Sequence, residues 1–120
     1  MIEKTVSIVG TGYVGLCTAV GFASKGYKVV AYDPKAVVNA RQIFGDRIEY
    51  ARSSMECLKG AECCIVVTEW EEFKQLEPKD FVRQMKIPLV IDGRRIYNQK
   101  EFSRELNFAG IGLSAARVLA

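Results

Sequence analysis

The chain has 120 residues, a length that suits one domain with a core of its own. Hydrophobic residues make up 49% and charged residues 26%, which excludes a disordered or fibrous chain. The net charge of +3 is mild and no basic run is dense, so a small anionic ligand fits better than nucleic acid.

No apolar stretch reaches membrane-spanning length, and the N-terminus lacks the basic-then-apolar form of a secretion signal. The expectation is a cytoplasmic protein with neither a membrane nor a nucleic-acid partner. Histidine is absent, which removes the commonest general base and every Ser-His or Cys-His pair. Cys17, Cys57, Cys63 and Cys64 form no C-x-x-C, so no metal site is expected. Buried free thiols are the expected state of these cysteines.

In chain order, Val6 to Val9 reads as one buried strand. Gly10, Gly12 and Gly15 follow in the spacing G-x-G-x-x-G, with Thr11, Tyr13 and Val14 between them. A helix comes next, its expected apolar side carried by Val14, Cys17, Thr18, Val20, Gly21 and Phe22, and Gly26 ends it. Lys28 to Tyr32 is a second strand with Asp33 at its end, eighteen positions after Gly15. This is the dinucleotide-binding fingerprint. Gly10 turns the chain out of the strand, Gly12 leaves room for a pyrophosphate, and Gly15 lets the helix lie close to the sheet. The helix start attracts phosphate charge. A carboxylate at Asp33 accepts hydrogen bonds from a ribose and repels a 2′-phosphate, which favours NAD over NADP. The competing reading gives these glycines only turn and packing roles.

Pro34 then breaks the strand. Ala36 to Phe44 has helical period, Arg47 to Tyr50 is a short strand, and Ser53 or Ser54 caps a helix with Met55, Leu58 and Cys57 turned inward. Gly60 ends that helix. Cys63 to Thr68 is a continuous apolar run, the signature of a strand covered on both faces. The acidic and aromatic stretch from Glu69 to Leu76 reads as a loop turning into a short helix with a solvated face. Pro78 opens another helix, and Pro88 to Ile91 is a strand running into Asp92-Gly93-Arg94-Arg95. A helix from Asn98 or Gln99 to Leu106 and a strand from Phe108 to Gly112 complete the alternation.

Six strands joined by crossovers predict an α/β fold: a single Rossmann-like, doubly wound parallel sheet of order 3-2-1-4-5-6. The domain is expected over 1–113, with 114–120 as a tail. Ligands of such sheets bind beyond the strand ends where the order reverses. That rim collects Gly10 to Val14, Asp33, Thr68, Glu69, Trp70, and Asp92 to Arg95. Arg94 and Arg95 are the candidate anion partners, against a surface salt bridge as the alternative. Trp70 either stacks on a base or covers the core. Asp92 either touches ligand or braces the glycine turn.

The chain resembles the UDP-glucose/GDP-mannose dehydrogenase family over nearly its whole length. VSIVGTGYVGLCTAVGFASKGYKV is similar to the start of that family's NAD-binding domain. VVAYDPKA, VVTEWEEF, VIDGRRIY and the closing GIG are similar to its C-terminal domain, which helps to hold a UDP-sugar. The resemblance implies oxidation of a sugar 6-hydroxyl to a carboxylate by NAD. It places Gly10, Gly12, Val14 and Gly15 in the NAD phosphate loop and Asp33 where a ribose-binding acid belongs; Thr11, Tyr13 and Thr68, on the same rim, are further candidate cofactor contacts. It makes Arg94 the contact to the UDP-sugar. The family's G-G-x-C-x-P-K-D segment with the catalytic thiol is not present in this sequence, and none of the four cysteines matches that nucleophile. No catalytic residue is therefore assigned. The expectation is a nucleotide-binding domain, for NAD or a UDP-sugar, produced by an internal deletion or chimera with its junction near Val29 to Asp33. The alternatives are a scaffold, or a dehydrogenase component active only with a separate chain. A monomer or small homodimer is expected.

Overall fold

The computed structural model describes residues 4–10, 13–34 and 48–110. The expected helix over Ala36 to Phe44, the tail 114–120, and Thr11 and Gly12 of the glycine turn lie outside the described residues.

The apolar runs form six strands: β1 (Thr5–Val9), β2 (Lys28–Tyr32), β3 (Glu49–Tyr50), β4 (Cys63–Val66), β5 (Leu89–Asp92) and β6 (Asn107–Gly110). All pairings are parallel, and the order is β3-β2-β1-β4-β5-β6, as the alternation of strands and helices predicts. β1 is central, and Ile8 faces Ala31 on one side and Ile65 on the other. The helices are α1 (Tyr13–Ser24), α2 (Ser54–Leu58), α3 (Glu71–Lys74), α4 (Pro78–Gln84) and α5 (Gln99–Glu105).

The sheet separates two apolar clusters because successive side chains on a strand point to opposite faces. On one face Val66, Val90 and Phe108 pack with Phe73, Phe81 and Phe102 from α3, α4 and α5. On the other, Ile8, Ala31 and Ile65 pack with Ala19 of α1. Helix starts follow local chemistry. Ser53 accepts from the Glu56 N–H at 3.1 Å, and Asn98 accepts from the Glu101 N–H at 3.0 Å. Glu77 and Asp80 form a capping box around Pro78 at the start of α4.

Three packing expectations need correction. α1 buries Gly15 and Ala19, while Cys17 and Gly21 are exposed and Thr18, Val20 and Phe22 are half-buried. A helix apolar almost all round does not reveal its inner face by hydrophobicity; the small residues at Gly15 and Ala19, four apart, set it through close approach. Cys17 is thus an exposed thiol, and Cys63 is half-buried; only Cys57 and Cys64 are buried. Met55 is exposed because the five-residue α2 turns Cys57 and Leu58 inward instead.

Candidate nucleotide site at the strand ends

The strand order reverses between β1 and β4, and the site is built from what leaves the strands there. Gly10 follows β1 at φ 103°, a conformation that costs a side-chain-bearing residue dearly, and its N–H donates to the Tyr32 carbonyl at 2.6 Å. A Cβ at Gly10 would collide with the Thr68 side chain. One at Gly15 would collide with the Gly10 carbonyl, and would lie 2.7 Å from Cγ2 of Val67. The turn and the close helix approach expected of these two glycines are both present. Tyr13 and Val14 form the first turn of α1.

Thr68 sits just beyond β4. Its Oγ1 is buried, and among the described residues it has no hydrogen-bond partner. An unsatisfied buried hydroxyl costs about 1–3 kcal/mol. A cavity of about 380 Å³ opens beside it, lined by Val67, Thr68, Glu69, Trp70 and Arg94.

Arg94 reaches this cavity from the end of β5. Asp92 positions the loop that carries it: fully buried, it accepts from the Arg94 N–H at 3.1 Å and the Tyr97 N–H at 2.9 Å. Asp92 is therefore the brace of this turn. The Arg94 guanidinium forms an ion pair with Glu69, to which its Nε also donates at 3.2 Å. Both side chains are about half exposed, at 49% and 50%. The hydrogen bonds and charge of Arg94 hold the Glu69 carboxyl below its ordinary value. Arg95 adopts a positive φ of 57°.

Asp33 ends β2 as expected but is only 3% exposed. The Trp70 indole Nε1–H donates to its Oδ2 at 3.3 Å. Trp70 is thus held by the carboxylate at the end of β2. It spans the rim from β4 to the end of β2, and it is 37% exposed. Nearby, the Tyr32 hydroxyl donates to Glu72 at 3.0 Å. Burial, then that bond to a carboxylate, raises the Tyr32 hydroxyl to about 12. Glu69 and Glu72 are exposed, as their run of acids suggests, and each also tethers the segment across the rim, Glu69 to Arg94 and Glu72 to Tyr32. The one legible hint was position, since Glu69 and Trp70 lie just beyond β4, whose neighbours in the sheet are β1 and β5.

A family profile described as "UDP-glucose/GDP-mannose dehydrogenase family, UDP binding domain" matches residues 18–99. The chain belongs to the UDP-glucose/GDP-mannose dehydrogenase family. The matched span takes in Asp33, Thr68 and Arg94 and begins after the glycine turn. Among relatives, a UDP-glucose 6-dehydrogenase of Haloferax volcanii is 43% identical over 76 residues, covering 63% of this chain and 17% of that protein. A UDP-glucose 6-dehydrogenase of Rhizobium meliloti is 34% identical over 88 residues, covering 72% of this chain and 20% of that protein. The chain thus spans at most about a fifth of the length of these curated relatives. In fold it is similar to a UDP-glucose dehydrogenase from Pyrobaculum islandicum, with TM-score 0.76 and 22% identity over 93% of this chain and 26% of that one. It is also similar to D-lactate dehydrogenase with NAD+ from Lactobacillus jensenii, with TM-score 0.67 and 20% identity over 98% of this chain and 40% of that one. Among the described residues no helix is long and apolar enough to cross a membrane.

Proposed function

We propose that the chain is a nucleotide-binding domain that holds a UDP-type diphosphate, such as a UDP-sugar, in the cavity between the ends of β4 and β5. The observation that carries this reading is the placement of Arg94 on that cavity by a buried carboxylate brace, inside the span matched by the UDP-binding profile. A guanidinium fork suits a diphosphate, and Glu69 holds the fork in place until an anion displaces it. The glycine turn is of the kind that favours a dinucleotide, NAD, with its pyrophosphate at the start of α1 and a ribose at Asp33, but only where that carboxylate is open to the ribose.

The domain binds without turning over. Hydride chemistry belongs to the cofactor, but the protein must activate the substrate, and this sequence contains no recognisable group for that. It contributes to sugar oxidation only with a chain that supplies the remaining segments. Its origin is a junction of two related domains near Val29 to Asp33. The UDP-binding profile begins earlier, at residue 18, and so takes in part of the segment that resembles the NAD-binding half.

The test is isothermal titration with UDP and UDP-glucose. Arg94→Ala should weaken UDP at least tenfold, since a charge-assisted contact is worth about 1.5–3 kcal/mol. Equal affinity in parent and variant would remove Arg94 from the site. Parent protein mixed with NAD and UDP-glucose should form no NADH; steady NADH production would contradict the binding-only reading.

A further inference from the structure

The rim contains a contact that the dinucleotide fingerprint does not explain. A ribose can use Asp33 only if the carboxylate is open to it, and Asp33 is 3% exposed with the Trp70 indole donating to Oδ2 at 3.3 Å. Trp70 is not a loose cover. The residue before it, Glu69, is ion-paired to Arg94 at the end of β5. Two residues after it, Glu72 accepts from the Tyr32 hydroxyl at 3.0 Å. Phe73 is fully buried against Tyr32, with ring centroids 5.9 Å apart, and its carbonyl accepts from the Tyr97 hydroxyl at 2.5 Å. The segment is therefore fastened to β2, to β5 and to the loop before α5, and the indole is carried across the end of β2 by fixed neighbours.

We infer that Trp70 is the specificity-determining residue of this rim: by covering and hydrogen-bonding Asp33 it closes the ribose end of the dinucleotide site, so that the domain rejects NAD and keeps the Arg94 side for a uridine diphosphate. This rests on the reading of Arg94 given above. The discrimination has two parts. A dinucleotide must displace an aromatic ring from a buried carboxylate, and it must replace the hydrogen bond that the ring makes. Losing one hydrogen bond to a charged group without a substitute costs about 1.5–3 kcal/mol, roughly ten- to hundredfold in affinity. A uridine diphosphate anchored on Arg94 has no need of Asp33.

The experiment is titration of the full chain and three variants with ADP-ribose, NAD and UDP. The parent should bind UDP at least tenfold more tightly than ADP-ribose. Trp70→Ala should raise the ADP-ribose affinity, relative to that for UDP, by at least tenfold. Trp70→Ala combined with Asp33→Asn should lose that gain, because the gain runs through the carboxylate. Trp70→Phe guards against a folding defect: it keeps a ring and removes the N–H, and should show a smaller gain in the same direction. Trp70 is the single tryptophan of the chain, so its emission in the parent reports directly on displacement. UDP bound by the parent with no gain in Trp70→Ala or Trp70→Phe would overturn the inference and leave the Arg94 reading standing. A gain for ADP-ribose in a protein that never binds UDP would do the reverse. Tight NAD binding by the parent with a shift in Trp70 emission, or no binding of any nucleotide by parent and variants, would overturn it.

Discussion

Thr68 Oγ1 is buried, has no hydrogen-bond partner among the described residues, and packs against Gly10. A hydroxyl in that position costs stability, so Thr68→Val, which keeps the shape and removes the polar atom, should raise the urea midpoint by the equivalent of about 1 kcal/mol. An unchanged or lower midpoint would show that the hydroxyl has a partner in solution. At this scale the sequence was partly legible. Gly10, Gly15 and Asp33 could be placed because each answers to a local rule about turn, close packing or strand end. The pairings Trp70–Asp33 and Glu69–Arg94 could not, because each joins residues far apart in the chain and depends on how strand ends meet.

Helix α2 shows what an element contributes by where it lies. It lies across β1 and β2 and carries Cys57 into the interior, 1% exposed, with Ser7 Oγ 3.0 Å from its sulfur. Burial raises this thiol from 9.0 to about 12. The folded state therefore keeps the proton at pH values where the unfolded state loses it. The stability this gives is intact below about pH 9 and disappears as pH rises toward 12. Urea midpoints measured from about pH 8 to about pH 11 should fall, and Cys57→Ala should fall less steeply over the same range. Parallel slopes would mean that the thiol ionises as freely in the fold as outside it. The sequence marked most elements well, since caps and stops such as Ser53, Pro78 and Asn98 act locally. It did not show the inner faces of α1 and α2. Cys17 and Met55 are apolar residues on short or uniformly apolar helices, where periodicity carries little information and packing decides.

For the whole molecule, the order β3-β2-β1-β4-β5-β6 follows from strands alternating with helices and from right-handed crossovers, and it was fully legible. The order also brings the glycine turn, Asp33, the Glu69–Trp70 segment and Arg94 to one rim from four separate parts of the chain. On the reading proposed above, that rim offers Arg94 to a uridine diphosphate, while Trp70 donates to Asp33 at the end of β2. The central claim is that a uridine diphosphate occupies the β4–β5 side of that rim. Amide-correlation NMR spectra recorded during a UDP titration test it most directly. Saturable shifts at Thr68, Glu69, Trp70 and Arg94, with α4 and the edge strand β6 unmoved, are the predicted result. No shift at any UDP concentration, or shifts centred on α4 or β6, would contradict the account.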